Sequence, residues 1–242
     1  MARRRFFVRE VRRGMAEITG PDAEHLVRVL RVEPGQRFEI SDNTNVYLAQ
    51  VESSRKSLVS FQVVEQIAPK KVQAAVTLSP ALFKFDRFEW LIEKATELGV
   101  TAIRPFEATR TEHGLGKAAV KRAARWERIA LEASEQSRRD HLPRIDPVVR
   151  FAKILQSSAP VRLLLDESPD APPLLHGLPQ ERAPADSVEL LLGPEGGFTE
   201  EERSAAIEGG WKPCSLGNTI LRAETAGLAG IAIVQGLWQT AR

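Results

Sequence analysis

The first part of the chain carries apolar residues in the alternating pattern of β-strands. Val59, Phe61 and Val63 alternate with polar residues, which is typical of a half-buried strand. A second apolar run, Val46 to Val51, follows the turn-forming segment Ser41 to Asn45. Residues 1–70 are therefore predicted to form a small β-rich domain.

One helix is predicted to interrupt these strands. Pro21 suits a first helical turn, and Leu26, Val29 and Leu30 share one face of the segment that follows. The turn-forming residues Glu33-Pro34-Gly35 are expected to end this helix.

The pattern changes after Ala68 to Lys71, which is predicted to be a linker. Apolar runs of strand length then alternate with helical patterns. These runs are Val72 to Leu78, Ala102 to Ile103, Val161 to Leu165, Val188 to Leu192 and Cys214 to Leu216. Such alternation predicts an α/β domain with a mostly parallel sheet over residues 71–242.

Two helices are predicted in the first half of this domain. Asp86 and Glu89 form a pair typical of a capping box, and the apolar face that follows ends at Gly99. A longer helix is predicted from about Lys117 to Ser137, with Trp126 in the core.

Two further helices are predicted near the end of the chain. Thr199 and Glu202 form a capping box, and Gly209-Gly210 is expected to end the helix that they begin. The last helix, from about Ala223, is apolar nearly all round and is expected to be buried. Its small residues allow close approach of either the sheet or a second subunit.

Composition narrows the class of protein. In a chain of 242 residues, 43% hydrophobic and 27% charged residues are ordinary for a soluble globular protein. The single cysteine, Cys214, excludes an internal disulfide, fits a reducing cytosol and is expected to be buried. The four histidines lack ligand spacing, so no metal site is predicted. Neither a secretory signal nor a membrane span is predicted, and we expect a cytoplasmic location.

The net charge of +2 hides an uneven distribution of arginines. Eight of them crowd the first 31 residues: Arg3, Arg4, Arg5, Arg9, Arg12, Arg13, Arg28 and Arg31. Such a basic region suits an anionic partner such as nucleic acid, although a solvated basic surface or tail explains it equally well. Phe6 and Phe7 lie among these arginines, either as exposed rings on which bases stack or as core residues of a first strand.

Two glycine-containing turns are the candidate ligand site. Gly193-Pro194-Glu195-Gly196-Gly197 follows one predicted strand, and Leu216-Gly217-Asn218 follows another, expected to be its neighbour. Neither turn is a P-loop or a dinucleotide fingerprint, and Glu195 disfavours phosphate. The exposed backbone of two such turns suits a nucleoside-type cofactor. A tight turn without a ligand is the alternative.

Arg222, Glu224 and Thr225 stand at the predicted start of the last helix. Glu224 and Thr225 either cap the helix or orient a ligand. A fixed Arg222 guanidinium suits a substrate carbonyl, phosphate or carboxylate. No Ser-His-Asp or Cys-His arrangement for nucleophilic catalysis is present in the sequence.

Five sequence blocks resemble the ribosomal RNA small subunit methyltransferase E family of the SPOUT superfamily. They are His25 to Arg31, Glu93 to Val100, Arg125 to Arg138, Leu192 to Gly197, and Leu216 to Ala226. They occur in family order and span nearly the whole chain. The chain departs from the family at Asp42 to Asn45, where many members carry glycines. Asparagine tolerates positive φ, so the turn is expected to survive.

The resemblance implies a PUA-like β-barrel over residues 1–70 and a SPOUT methyltransferase domain over residues 71–242. The second domain would be tied in a deep trefoil knot, a rare exception to unknotted topology. The implied activity is S-adenosylmethionine-dependent methylation of N3 of a uridine in 16S rRNA, on the free RNA or the small ribosomal subunit, by a homodimer. Arg9, Arg12, Arg28 and Arg31 are the candidate RNA contacts.

The resemblance also assigns site residues. The cofactor pocket would comprise Leu165, Leu192, Gly193, Glu195, Gly196, Gly197, Leu216, Gly217, Ile220, Leu221, Arg222 and Thr225. Arg222 is the candidate for stabilising the uridinate or positioning a phosphate, and Glu224 is a candidate base for the N3 proton.

Two other functions stay open from the residues alone. One is a non-catalytic RNA-binding or ribosome-assembly protein that uses the basic first domain. The other is a different nucleotide-using enzyme, such as a nucleotidyltransferase, although the turns lack its usual lysine and carboxylate cluster.

Overall fold

The computed structural model describes residues 4–68 and 74–239. The chain forms two compact units: Met1–Lys70 with Ser134–Leu142, and Lys71–Ala133 with Pro143–Arg242. Arg3, most of the predicted linker and the start of the strand expected at Val72 lie outside the described residues.

The first unit is built on a five-stranded sheet. Its strands are β1 (Arg5–Phe7), β2 (Met15–Thr19), β3 (Arg37–Ser41), β4 (Val46–Arg55) and β5 (Leu58–Ile67), in the order β1-β3-β4-β5-β2. All pairs are antiparallel except β1 with β3. The β4–β5 register shifts twice, and such irregularities bend a sheet. Phe6 is fully buried beside Phe61, so it is a core residue of the first strand.

The helix of this unit, α1 (Gly20–Arg28), is shorter than predicted. Pro21 lies in its first turn as expected, and Leu26 is buried. Val29 is 63% exposed, so the prediction that it shares the buried face is wrong. The helix ends early because the amides of Val29 and Leu30 both donate to the His25 carbonyl, and Arg31 then adopts φ 51°.

A buried ionic network attaches the segment Ser134–Leu142 to the first unit. The Arg5 side chain is 3% exposed and bonds the Glu39 carboxylate at 2.8 Å, the Asp140 carboxylate, and the Arg138 carbonyl at 2.9 Å. The Ser41 hydroxyl donates to the Asp140 carbonyl at 2.7 Å. Arg5 therefore stabilises the fold and differs from the exposed arginines near it in sequence.

The second unit contains a six-stranded sheet in which every pair is parallel. Its strands are β6 (Ala75–Pro80), β7 (Ala102–Ile103), β9 (Arg144–Ile145), β11 (Val161–Leu165), β12 (Ser187–Leu192) and β13 (Lys212–Cys214), in the order β13-β11-β12-β6-β7-β9. A separate pair joins β8 (Phe106–Glu107) to β10 (Val149–Arg150). The predicted α/β class is confirmed.

Two details of the predicted sheet are wrong. The last strand ends at Cys214 rather than at Leu216. In addition, β11 lies between β12 and β13, so the strands that lead into the two glycine-containing turns are not neighbours. Strand order in a parallel sheet depends on the crossover connections, which apolar patterns do not encode.

The helices of this part of the chain are α2 (Phe85–Glu97), α3 (Leu115–Val120), α4 (Ala123–Ser137), α5 (Phe151–Ile154), α6 (Leu174–Gly177), α7 (Glu200–Glu208) and α8 (Ala223–Gln239). The single helix predicted from Lys117 to Ser137 is two helices. The Asp86–Glu89 capping box is also wrong. Lys84 is the N-cap of α2, and the Glu89 carboxylate is occupied by Arg122 at 2.6 Å and Arg125 at 2.8 Å.

The predictions for α7 and α8 are confirmed in large part. Thr199 and Glu202 form the capping box of α7, and Gly209 caps its end. Helix α8 packs against the sheet through Gly230, where a Cβ atom would lie 3.1 Å from Leu190. Only this face of α8 is buried, because Ala232 on another face is exposed. At Gly230 the small residue thus serves contact with the sheet.

Both faces of the parallel sheet are covered. Leu78, Leu190 and Ile231 belong to the large core between the sheet, α2 and α8, which also includes the buried Trp126 and Cys214. On the other face, Leu191 packs in a smaller cluster with Phe106 and Trp211. A sheet buried on both faces exposes little besides the ends of its strands, and ligands of such folds bind at the carboxyl ends.

Candidate functional site

Three strands of the second unit end in register at one edge of the sheet. Leu165, the last residue of β11, pairs with Leu192 at the end of β12 and with Cys214 at the end of β13. The next strand, β6, continues this edge, because Pro80 pairs with Leu192. The loops that leave these strands therefore meet at one carboxyl edge, where open α/β sheets bind their ligands.

The first turn, Gly193 to Gly197, has a backbone that requires glycine. The Gly197 amide donates to the Pro194 carbonyl at 2.8 Å, and Gly197 adopts φ +69°. A Cβ atom at Gly193 would lie 3.0 Å from the Phe198 ring, which packs with the aromatic residues of the smaller core. The turn is thus fixed by its surroundings and leaves Glu195 and Gly196 exposed.

Capping holds the residues after this turn in place. Glu202 accepts the Thr199 amide at 3.1 Å through one carboxylate oxygen and the Thr109 amide at 2.7 Å through the other. The same carboxylate therefore joins the start of α7 to a loop that follows β8. Glu201, in the exposed first turn, accepts hydrogen bonds from its own backbone and from Thr199, which lowers its pKa.

The second segment runs from Ser215 to Arg222 and is open. The Gly217 amide donates to the Ser215 hydroxyl at 3.2 Å, and that hydroxyl donates to the Gly217 carbonyl at 3.0 Å. Gly217 has φ +138°, and a Cβ atom there would meet nothing within 4 Å. Ile220 is 80% exposed and Arg222 is exposed, whereas Leu216 packs partly against the core. Exposed apolar residues beside free backbone suit a ligand.

The start of α8 reaches the same edge. Gly227 packs against Leu192 at the carboxyl end of β12, while the Gln235 amide donates to the Ala74 carbonyl before β6. The helix therefore runs antiparallel to the strands, and its first turn lies toward their carboxyl ends. Glu224 in that turn is 7% exposed, and its Oε2 has no hydrogen-bond partner within residues 4–68 and 74–239. Thr225 beside it is exposed.

A buried carboxylate oxygen without a partner is costly, by about 1–3 kcal/mol. Such an oxygen in Glu224, in a helix turn that lies toward the carboxyl edge, indicates that a ligand supplies the missing donor or proton. A nucleoside cofactor with amino and hydroxyl donors fits this arrangement.

Basic residues surround the other side of the first turn. Nη1 of Arg110 donates to the carbonyls of Gly196 at 2.9 Å and Phe198 at 3.3 Å. Nη1 of Arg87 bonds the Glu195 carboxylate at 2.6 Å. Lys84, Arg87 and Arg110 were not predicted as site residues from the sequence. Lys84 follows a predicted apolar strand. Because ligands of α/β sheets bind at the carboxyl ends of the strands, this position could have been predicted. Arg110 lies in a loop that carries no pattern.

The candidate RNA-binding arginines of the first unit are exposed. They are Arg9, Arg12, Arg28 and Arg31. Arg12 forms an exposed ion pair with Glu10 at 2.7 Å, and such pairs contribute little to stability. All four side chains are thus available to an anionic partner.

The turn at Asp42 to Asn45 survives the loss of glycine, as predicted. Asn43 adopts φ 66°, and the Asp42 carboxylate accepts the amides of Thr44 at 3.0 Å and Asn45 at 2.7 Å. The Asn43 side chain also accepts the Leu142 amide at 2.7 Å. Its side chain therefore adds a bond that glycine lacks.

Residues 4–68 and 74–239 contain neither a membrane-spanning helix nor a cluster of metal ligands. None of their helices has the length and apolar character needed to cross a bilayer. No cluster of three or more histidine, cysteine, aspartate or glutamate side chains among them is arranged to hold a metal ion.

Family models match most of the chain. The RNA methyltransferase domain model matches residues 69–235, and the RNA methyltransferase PUA domain model matches residues 18–64. The first match covers the carboxyl edge and both glycine-containing turns, and the second covers most of the N-terminal sheet.

Individual proteins match over most of their length. The ribosomal RNA small subunit methyltransferase E of Synechocystis is 36% identical over 92% of this chain and 73% of its own. The enzyme of that name from Bacillus subtilis is 33% identical over 90% of this chain and 88% of its own.

A solved structure shares the fold. The methyltransferase E of Neisseria gonorrhoeae, bound to S-adenosyl methionine, is 30% identical, covers 98% of each chain and superimposes with a TM-score of 0.85. The SPOUT-type parallel sheet and the PUA domain that the resemblance implied are confirmed. This chain belongs to the ribosomal RNA small subunit methyltransferase E family.

Proposed function

We propose that this protein uses S-adenosylmethionine to methylate N3 of a uridine in the 16S rRNA of the small ribosomal subunit. RNA methylation with this cofactor is supported by the relatives' names and by the cofactor-bound neighbour. The observation that carries the proposal is a buried Glu224 oxygen that has no partner within the described residues, in the helix whose first turn lies toward the carboxyl edge that both glycine-containing turns follow. The choice of uridine N3 comes from the family resemblance.

The proposed cofactor site comprises the end of each central strand and the loops beyond. Its residues are Leu165, Leu192, Gly193, Glu195, Gly196, Gly197, Leu216, Gly217, Ile220, Leu221, Arg222 and Thr225. The exposed backbone of the two turns suits an adenosine, which needs no phosphate-binding lysine. When bound, S-adenosylmethionine supplies an electrophilic methyl group.

Arg222 is proposed to act on the pyrimidine. Uridine N3 is a poor nucleophile until it loses its proton, and negative charge then spreads to O2 and O4. An exposed guanidinium at the entry to α8 can stabilise that charge or fix a neighbouring phosphate. Its carbonyl accepts the Ala226 amide at 2.9 Å, which fixes the backbone of Arg222.

Glu224 is proposed to accept the N3 proton. Its Oε2, which has no partner within the described residues, can take a proton, and the residue is largely shielded from bulk water because it is only 7% exposed. Because N3 lies on the pairing edge of the base, the uridine must be unpaired or flipped out of its helix before it reaches these groups.

The first unit is proposed to bind RNA through Arg9, Arg12, Arg28 and Arg31. Contacts between arginines and phosphates release counterions, so this binding should weaken as salt rises. A homodimer, a trefoil knot in the second unit and a cytoplasmic location are further proposals that follow from the resemblance and from the single buried cysteine.

The decisive experiment is methylation in vitro followed by mass spectrometry of the digested RNA. Purified protein, S-adenosylmethionine and unmethylated 16S rRNA or small subunits should yield one 3-methyluridine. A methyl group on another atom would refute the N3 assignment alone. RNA binding without cofactor binding would favour the assembly-protein alternative, and dependence on a nucleoside triphosphate with Mg²⁺ would favour a nucleotidyltransferase.

A further inference from the structure

A cleft of about 230 Å³ lies beside the Gly193 to Gly197 turn and shares Glu195 and Gly196 with the proposed cofactor site. One wall is Leu82 to Lys84, which continues β6 past the carboxyl edge. The others are the loop that carries Arg110 and Glu112, and Pro194 to Gly196. Hydrogen bonds fix the first wall, because the Ala81 amide donates to the Leu192 carbonyl and the Leu82 amide to the Phe106 carbonyl, each at 2.8 Å.

The size of this cleft restricts its ligand. Pockets for whole small molecules have volumes of roughly 300–1,000 Å³. The cleft is smaller and therefore suits one group of a larger ligand rather than a complete nucleoside.

Two cationic side chains of the cleft keep free hydrogen-bond donors. Arg110 uses only Nη1 for the carbonyls of Gly196 and Phe198, so its other nitrogens have no hydrogen-bond partner within the described residues. Those two bonds hold the guanidinium in place, which suits it to bind an oxyanion. Lys84 is exposed, and its ammonium contacts no acceptor among residues 4–68 and 74–239.

The acidic residues that line the cleft do not neutralise the positive charge of Lys84 and Arg110. The Glu195 carboxylate is occupied by Arg87 at 2.6 Å, which also answers the objection that Glu195 disfavours a phosphate here. Glu112 is the remaining carboxylate that lines the cleft, and Glu201 at the start of α7 also attracts Arg110 from outside the lining. Lys84, Arg110 and Glu112 line the cleft and are not part of the Arg87–Glu195 pair. Together they carry a net charge of about +1 at neutral pH.

We infer that this cleft binds a backbone phosphate of the substrate RNA, next to the nucleotide that is methylated. The inference rests on the proposed function, and it assigns the catalytic unit its own contact with the RNA chain. A small cleft with one fixed guanidinium and one free ammonium recognises a single oxyanion. The carboxylate of the cofactor is the other oxyanion of the reaction, so the experiment must separate the two sources.

The test variant is Lys84→Gln, which removes a charge at an exposed position and leaves the walls intact. We expect 16S rRNA binding to weaken about tenfold, and the slope of log K against log salt to fall in magnitude by about 0.7, the value for one single-strand phosphate. Lys84→Arg should restore both. Glu112→Gln should act in the opposite direction and tighten RNA binding. Lys121→Gln, an exposed lysine of the same unit outside the cleft, is the matched control.

Calorimetric titration with S-adenosylmethionine shows whether the cleft binds an RNA phosphate or the carboxylate of the cofactor. The affinity for S-adenosylmethionine should be the same in the Lys84→Gln variant and in the unaltered protein. Lost cofactor affinity with an unchanged RNA salt slope would assign the cleft to the cofactor carboxylate and overturn the inference. An effect equal to that of Lys121→Gln would also overturn it. If the unaltered protein fails to methylate RNA, the proposed function fails independently of these variants.

Discussion

Gly227 of α8 packs directly against Leu192 at the carboxyl end of β12. A Cβ atom at Gly227 would lie 3.3 Å from Cδ2 of Leu192 and 3.3 Å from Cδ1 of Leu91. Glycine inside a helix normally costs about 0.5–1 kcal/mol relative to alanine. Here the absence of a side chain lets the helix that carries Glu224 approach the strand that enters the first turn.

The first prediction concerns this contact. Gly227→Val should lower the free energy of unfolding by about 1–3 kcal/mol, because its methyl groups would overlap with the side chains of a packed core. Urea denaturation measures the change. Gly236→Ala on the same helix meets nothing within 4 Å and should raise stability by about 0.5–1 kcal/mol. Equal effects of the two substitutions would show that helix propensity, and not packing against the sheet, determines the change in the free energy of unfolding.

The second prediction concerns Arg222. Arg222→Ala should reduce kcat by about 10²–10³-fold, the usual cost of removing one group that stabilises charge in a transition state. Affinity for S-adenosylmethionine should change little, because the exposed side chain is assigned to the pyrimidine. Single-turnover methylation and calorimetry measure the two quantities, and Arg222→Lys should recover part of the rate. Full turnover by Arg222→Ala would remove this residue from the mechanism.

The third prediction concerns Glu224. Glu224→Gln keeps the size of the side chain and removes its ability to accept a proton, so kcat should fall by about 10²–10⁴-fold. Stability should stay the same or rise, because Oε2 has no partner to lose among the described residues. Thermal unfolding and methylation rates report the two effects. A variant with normal turnover would exclude Glu224 as the base, and one that is inactive but also unstable would point to a structural role.

The fourth prediction concerns the Cys214 thiol. Burial raises its pKa from 9.0 to about 11, so the folded thiol stays neutral at pH 8 and should react with thiol reagents far more slowly than the unfolded chain does. Because the unfolded thiol ionises first, this residue should reduce stability as pH rises from about 9 to about 11, by on the order of 2 kcal/mol.

Cys214→Ala provides the comparison for that pH dependence. Other groups can also change stability at alkaline pH, so the quantity of interest is the difference between the variant and the unaltered protein in how the free energy of unfolding depends on pH. The variant should lose stability less steeply above pH 9. Parallel curves, or rapid labelling of the native thiol at pH 8, would contradict the burial of this residue.

Local signals in the sequence predicted local features well. The Thr199–Glu202 capping box and the tolerance of Asn43 for positive φ are properties of a few adjacent residues, and both are confirmed. The burial of Trp126 and Cys214 followed from their apolar neighbours.

Features that depend on distant residues were not predicted. The spacing of Asp86 and Glu89 is that of a capping box, but Arg122 and Arg125 occupy Glu89, and no local pattern reports such partners. The position of β11 between β12 and β13 is likewise fixed by crossovers. The cleft beside Lys84 and Arg110 is formed by loops from three strands, so no single stretch of sequence marks it.

The buried network around Arg5 has a consequence for how this protein can be divided. Asp140, which pairs with Arg5, belongs to the segment Ser134–Leu142. In the sequence this segment comes after Lys71–Ala133, which belongs to the second unit. A fragment that stops near residue 70 would leave Arg5 with only the Glu39 carboxylate and would lack the backbone that binds Ser41. Neither unit is therefore a continuous piece of the gene, and expressing the two halves separately is expected to yield an incomplete N-terminal fold.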